Sequence, residues 1–239
     1  MTVRADTRVL MIALLFGLPT LVLADDKDSR DLNGFHAISV AEGINLEVHQ
    51  GDHYAVKVHT DGGDTDEVET VVERETLVIR KDSGFFGFFN FGWIHWFEHY
   101  SVDVTLPKLE SVVASGGSHV KFDGNFSGDE LVLRASGGSN VRFKGKFDSL
   151  EVTTSGGSDA SLEGAAHVLK GRASGGSDIH ALDLDVSEAE LVASGGADVV
   201  VTVHDKLTAR ASGGSAIRYE GHPKETDIKS SGGGRVKPR

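Results

Sequence analysis

A tetrapeptide that recurs about every 19 residues limits the folds open to this chain more than any other feature of the sequence. Ser-Gly-Gly-Ser occurs five times, and two variants end in Ala197 and Gly234. The first serines of the seven copies are Ser115, Ser136, Ser155, Ser174, Ser194, Ser212 and Ser231. Their spacing of 18 to 21 residues is too regular for chance, and it is typical of a chain built from stacked copies of one small unit.

Apolar residues keep a fixed phase around each copy and alternate with polar ones. Three residues before the first serine lie Val112, Leu133, Val152, Gly171, Leu191, Ala209 and Ile228. Five residues after it lie Val120, Val141, Ala160, Ile179, Val199, Ile217 and Val236. A period of two residues is the pattern of a β-strand with one buried face. Each repeat therefore predicts two short strands joined by a Gly-Gly corner and a looser second turn.

The repeat length and the fixed corner favour a coil that stacks on its neighbours over an array of hairpins. In such a stack, strands about 4.8 Å apart pair with the coil above and the coil below. The prediction is an all-β protein: a parallel, β-helix-like β-solenoid of about six coils over residues 110–239. Residues 35–109 have strand patterns without the tetrapeptide, and we expect them to form a β cap with an aromatic loop.

The N-terminal segment, residues 1–24, has the features of a secretory signal peptide. Arg4 and Arg8 precede an apolar run, and the segment closes on Ala24. We expect cleavage after this alanine, a short tail over residues 25–34, and export to the periplasm or the cell surface. The alternative is an uncleaved membrane anchor, which Pro19 and a run shorter than about 20 residues disfavour.

Charge and cysteine content exclude several classes of function. The chain has 24 Lys and Arg against 36 Asp and Glu, a formal charge of −12, so binding to nucleic acid through clustered basic side chains is not expected. Without cysteine there is no thiol nucleophile, disulfide scaffold or iron–sulfur cluster. The sequence also lacks a Gly-x-Ser-x-Gly elbow and a phosphate-binding loop. We therefore expect neither an enzyme nor a cofactor.

The order of the motifs resembles a known family. Phe35-x-x-Ile38-x-Val40 is followed by Gly43-Ile44-Asn45-Leu46-x-Val48-x-Gln50-Gly51, and then by Leu106-Pro107-x-Leu109 leading into the repeated Ala-Ser-Gly-Gly-Ser. Over residues 33–234 this order resembles the head GIN domain family of auto-transporter adhesins. The resemblance implies a bacterial envelope protein with an all-β, helix-like stack and an adhesive role.

A segment outside the repeats holds nine of the chain's 17 aromatic residues. The nine are Phe85, Phe86, Phe88, Phe89, Phe91, Trp93, Trp96, Phe97 and Tyr100. Interspersed glycines predict an extended loop or an irregular hairpin. Two interpretations stay open: the loop plugs the core at the first coil, or it exposes an aromatic surface that contacts a cell-surface glycan, a lipid or an envelope protein. The nine residues are the candidate ligand-binding set.

A second candidate is the row of residues that follows each corner. Its members are His119, Asn140, Asp159, Asp178, Asp198 and Ala216. In stacked coils the three aspartates would lie above one another and could offer oxygen ligands to Ca²⁺. The alternative is that Asp and Asn accept hydrogen bonds from backbone N–H groups of the turn. We favour the alternative and predict no metal site.

Together these observations predict an exported, non-enzymatic adhesion or binding module. Its rigid coil would present polar ladders, and the aromatic loop would supply apolar contacts. Two alternatives stay open: a structural envelope protein with no ligand of its own, and, with less support, a carbohydrate-active β-helix enzyme.

Overall fold

A computed structural model describes residues 27–81 and 99–239 of the chain. They form a parallel β-solenoid with coils of about 19 residues and about seven turns, which confirms the fold class predicted from the repeat. The strands are β1 (Lys27–Arg30), β2 (Ala37–Val40), β3 (Asn45–Gln50), β4 (Ala55–Asp61), β5 (Val68–Glu73), β6 (Thr76–Lys81), β7 (His99–Leu106), β8 (Ser111–Ala114), β9 (His119–Asp123), β10 (Phe126–Ser136), β11 (Asn140–Ser155), β12 (Asp159–Ser174), β13 (Asp178–Ser194), β14 (Asp198–Ala211), β15 (Ala216–Glu220), β16 (Glu225–Ser230) and β17 (Arg235–Pro238). A single turn of 3-10 helix covers Thr65–Glu67. Within the described ranges no helix has the length and apolar character needed to cross a membrane.

The repeats stack in register because their corners are aligned. Strands β10 to β14 pair in sequence order, each parallel to the next. β11 and β12 belong to repeats of equal length and pair without a register shift from Asn140↔Asp159 to Ser155↔Ser174. Repeats of unequal length show shifts away from the corner, between Ser161 and Glu163 and between Ala181 and Asp185. The corner is therefore constant, and the rest of the coil absorbs the differences in length.

Residues before the repeats form rungs of the same stack. β2 and β3 pair in parallel with β8 and β9 on one side, and with β6 and β7 on the other. Glu42 (φ +63°) and Gly43 (φ +77°) join β2 to β3 with the backbone of a Gly-Gly corner such as Gly137 (φ +63°) and Gly138 (φ +79°). The β6–β7 rung follows β2–β3 along the chain but lies outside it in space. Residues 35–109 thus contribute two rungs to the solenoid.

Antiparallel strands cover the outer side of these rungs. β4 pairs with β7, β1 with β4 and β5 with β6, all antiparallel. At the other end β16 pairs with β14, and β17 with β15. β17 carries Arg235, Lys237 and Pro238. Charged side chains and a residue without N–H discourage further strand pairing at an edge.

The core is a column of inward-facing side chains, buried with the two-residue period of the strands. Leu150, Leu169 and Leu191 are fully buried examples. A cluster of four phenylalanines fills one end of the repeat region, with successive ring centroids 5.0 to 5.8 Å apart. Its members are Phe122, Phe126, Phe143 and Phe147. Edge-to-face contacts of this kind add to the stabilisation that comes from burial.

The last serine of the tetrapeptide closes the corner from inside. Ser118, Ser139, Ser158 and Ser215 each donate Oγ–H to the carbonyl oxygen three residues earlier, at 2.8 to 2.9 Å. These serines are no more than 1 % exposed. A buried hydroxyl needs such a partner, since leaving it unpaired would cost about 1–3 kcal/mol. The repeated serine therefore has a structural role in the turn.

The second turn of the coil is tighter than the corner, so the looser turn expected from the sequence is wrong for these coils. Gly164 has φ +119°, and a Cβ built on it would lie 2.9 Å from the carbonyl carbon of Gly145 and closer still to the oxygen. Gly221 is placed in the same way against Val203. At the corner, a Cβ on Gly157 would meet no atom within 4 Å. The backbone at the second turn lies directly against the preceding coil.

Candidate functional site

The row that follows the corners stacks as the sequence predicted. The strand registers align Asn45, His119, Asn140, Asp159, Asp178, Asp198, Ala216 and Arg235. Asp178 Oδ1 accepts the backbone N–H of Asp198 at 3.2 Å, and Arg218 lies 3.6 Å from the Asp198 carboxylate. Among the described residues, the ligand atoms of the three aspartates do not form a group within 4.8 Å of one another. The contacts agree with the turn interpretation.

A shallow groove of about 560 Å³ crosses the second turns of neighbouring coils. Polar side chains from five strands line it, with Phe147 beside them, which is 6 % exposed. The polar set includes Ser127 of β10, Lys146 of β11, His167 of β12, Asp185 of β13 and His204 of β14. Because each strand supplies one or two groups at the spacing of the coils, an elongated ligand could contact several coils at once.

Ion pairs organise one end of this groove. His204 Nε2 is hydrogen-bonded to Asp185 Oδ1. The next residue, Asp205, accepts a hydrogen bond from Lys224 Nζ at 2.6 Å, and this contact holds the pKa of Asp205 below its ordinary value. The carboxylate of Asp205 therefore remains charged at neutral pH.

Three side chains of metal-ligand type meet on the outward face of the first rungs. Atoms of Glu47, His49 and Asp103 all lie within 4.8 Å of one another. Glu47 and His49 are two residues apart on β3, so they share one face, and the parallel register places Asp103 of β7 opposite Glu47. Sequence reasoning missed this cluster. Glu-x-His on a strand is a weak signal, and nothing local pairs it with an aspartate on a rung that is out of chain order.

The structure tests only one member of the predicted aromatic set. Phe85 to Phe97, which include Trp93 and Trp96, lie outside the described residues. Tyr100 is 2 % exposed, its hydroxyl donates a hydrogen bond to the Glu67 carboxylate, and Lys81 Nζ lies 4.3 Å from its ring centroid. Tyr100 is therefore a core residue. Its assignment to an exposed contact surface is corrected, because inward side chains of β7 alternate with outward ones and Tyr100 faces inward.

The ends of the two described ranges show where the aromatic segment joins the stack. β6 ends at Lys81 and β7 begins at His99, and these strands flank β2 and β3, which a four-residue corner connects. The chain thus leaves and re-enters the end rung at the corner position. The segment is inserted where the repeats have Gly-Gly.

Stacked coils with a fixed corner define this chain as a β-solenoid repeat protein. The family described as "Putative auto-transporter adhesin, head GIN domain" matches residues 34–223, and the chain belongs to this family. The family to which the sequence motifs pointed is thereby confirmed. No curated protein matches the chain.

Three solved structures share the fold. A "putative adhesin" from Bacteroides fragilis has a TM-score of 0.78 at 20% identity, and the match covers 89% of this chain and 96% of that chain. A "putative lipid binding protein" from Parabacteroides distasonis has a TM-score of 0.71 at 18% identity, with 90% and 96% covered. A "putative adhesin" from the same species has a TM-score of 0.68 at 21% identity, with 89% and 96% covered. At these identities the likeness shows the fold alone.

Proposed function

We propose that this protein is an exported adhesin of the cell envelope, a binding module without enzymatic activity. Membership of the family and the names of the structural neighbours support an adhesive role. The signal-peptide features of residues 1–24 support export. The observation that carries the proposal is the groove across five coils, since it repeats polar groups at the spacing of the stack.

The ligand class that best fits the groove is an uncharged cell-surface glycan. Carboxylate and imidazole groups such as Asp185 and His204 can pair with sugar hydroxyls, and a glycan chain offers hydroxyls along its whole length. The chain's formal charge of −12 disfavours polyanionic ligands. Weak contacts made by several coils of a rigid stack add up, because the later contacts form within one complex.

The aromatic residues at positions 85–97 form the second part of the proposal. Phenylalanine and tryptophan supply large apolar contact areas on sugar rings, lipids and protein partners. Their insertion at the corner of the end rung supports this role, because a corner connection is solvent-facing in the neighbouring rung, where Glu42 and Gly43 are exposed. We expect this segment to add affinity to the groove.

The test is binding of the purified protein to envelope polysaccharides, liposomes and envelope protein fractions. One variant replaces residues 85–97 by a Gly/Ser linker, and a second carries Asp185→Asn with His204→Gln. The matched control carries Asp52→Asn with His53→Gln, an exposed His–Asp pair of the same type with atoms 2.8 Å apart, outside the groove. Loss of glycan binding in the groove variant, with the control unchanged and circular dichroism intact, would support the proposal. Glycan binding equal in all variants, or absent in the parent, would refute it.

The buried Tyr100 favours a second candidate, a structural envelope protein with no ligand of its own. Since one member of the aromatic set lies in the core, replacement of residues 85–97 could remove packing instead of a contact surface. In that case the linker variant would unfold at a lower denaturant concentration, and the parent protein would bind none of the three ligand classes.

A further inference from the structure

We propose that Glu47, His49 and Asp103 bind a divalent transition-metal cation of the zinc class. Their ligand atoms already lie within 4.8 Å of one another. Bonds of about 2.0–2.2 Å in tetrahedral geometry place two ligand atoms about 3.3–3.6 Å apart. Closing the three side chains onto one ion therefore needs only small rotations. This site is separate from the groove and does not depend on the adhesive role.

The backbone holds the three ligands on one rigid surface. Glu47 and Asp103 are Cα partners across the parallel β3–β7 pair, and Thr105 is the partner of His49. β3 is also paired with β9 on its other side, so it lies within the sheet. Ligands on paired strands are positioned more tightly than ligands on loops.

Each ligand also has a charged neighbour that orients it. Asp123 lies 3.4 Å from His49 Nδ1, an arrangement that directs Nε2 toward the cation. His59 Nε2 lies 2.8 Å from Asp103 Oδ2, which leaves Oδ1 for the cation. His59 is the more buried of the two histidines, with 17 % of its side chain exposed against 33 % for His49. Metal-binding histidines commonly donate their other N–H to a carboxylate, and ligating carboxylates are themselves hydrogen-bonded.

The charges around the site are mixed, with an excess of carboxylates. Glu47, Asp103 and Asp123 face the two lysines Lys57 and Lys121. Lys121 Nζ lies 2.6 Å from Glu47 Oε1, so the other carboxylate oxygen of Glu47 is the one we assign to the cation. The net negative charge attracts a divalent cation and does not exclude a metal-bound anionic ligand.

The donor set selects the metal. One imidazole nitrogen and two carboxylate oxygens suit zinc and its neighbours, whereas calcium prefers six to eight oxygen ligands. Three protein ligands leave a fourth position of a tetrahedral ion for water or for a group of a bound ligand.

The experiment is competition for Zn²⁺ between the purified protein, without a histidine tag, and a chromophoric chelator. We expect one Zn²⁺ per chain, and at least tenfold weaker binding in His49→Ala and in Asp103→Asn. Asp123→Asn should weaken binding by about 10- to 100-fold without changing the stoichiometry, and Asp123→Glu should restore part of the affinity. The asparagine variants keep the side-chain size, and circular dichroism checks that all variants fold.

The matched control is His204→Ala. It removes a histidine that is also paired with an aspartate, but that belongs to no group of three close ligand atoms within the described part of the chain. Unchanged zinc binding in this control, with loss in the His49 variant, would support the site. Absence of zinc binding in the parent protein would overturn the proposal. Binding that survives both His49→Ala and Asp103→Asn would do the same.

Discussion

Replacement of Gly164 by alanine is expected to destabilise the solenoid far more than replacement of a corner glycine. At Gly164 the added methyl group would overlap the carbonyl group of Gly145 in the preceding coil. Gly157 also has positive φ, +76°, but a methyl group there would meet open space. The pair of variants therefore separates the cost of backbone conformation from the cost of close approach between coils.

Two contributions set the size of the effect. A φ of +119° lies in a region that only glycine adopts readily, and placing another residue there costs about 1–3 kcal/mol. In addition, the strands must separate by about 1 Å to bring the methyl group into ordinary contact. Gly145 and Gly164 are Cα partners in the β11–β12 pair, so this movement weakens ladder hydrogen bonds worth about 0.5–1.5 kcal/mol each. We expect roughly 3–5 kcal/mol for Gly164→Ala, against about 1–2 kcal/mol for Gly157→Ala.

Urea unfolding followed by far-UV circular dichroism measures both variants beside the parent protein. With a slope near 3 kcal/mol/M, a loss of 3 kcal/mol lowers the midpoint by about 1 M. Equal midpoints for the two alanine variants would refute the reasoning, because they would show that the second turn has room for a side chain. A larger effect at Gly157 would refute it as well.

Three further outcomes are expected. Leu191→Ala should lower the free energy of unfolding by about 2–5 kcal/mol, whereas Ile228→Ala, in the same column but 41 % exposed, should cost no more than about half as much in the same urea assay. Ser158→Ala loses one donated and one accepted hydrogen bond, so thermal unfolding should show a loss of about 1–3 kcal/mol. Lys108 donates a hydrogen bond that holds the pKa of Glu110 below its ordinary value of 4.5. The stabilisation is present above that value and is lost as the pH falls through the lowered pKa, so Glu110→Gln should flatten the decline in stability between pH 5 and roughly pH 3.

The repeat region could be predicted from the sequence almost residue by residue. A fixed corner every 19 residues or so makes equivalent positions stack, so Asp159, Asp178 and Asp198 align as expected. The two-residue alternation assigned the buried side chains correctly, as at Ile179 and Leu191. Local sequence suffices here because each coil contacts only its nearest neighbours, and those neighbours have the same pattern.

The predicted binding set is a different case. Tyr100 was grouped with its aromatic neighbours, but the strand that begins at His99 turns it into the core. Residues 85–97 remain a prediction that the binding experiment tests. The groove could not be predicted, because its side chains come from second turns, where Gly145 and Gly164 have no shared sequence motif of the kind that marks the corners.

The sequence by itself determined that the chain forms stacked parallel coils, because the corner and the alternation are local and repeated. Only the tertiary structure decided how the first rungs are ordered. Glu42 and Gly43 form a corner without the Gly-Gly signal, and the β6–β7 rung takes a place outside the rung that precedes it in the chain. That long-range pairing brings Asp103 to Glu47 and His49, so the proposed metal site exists only in the folded stack.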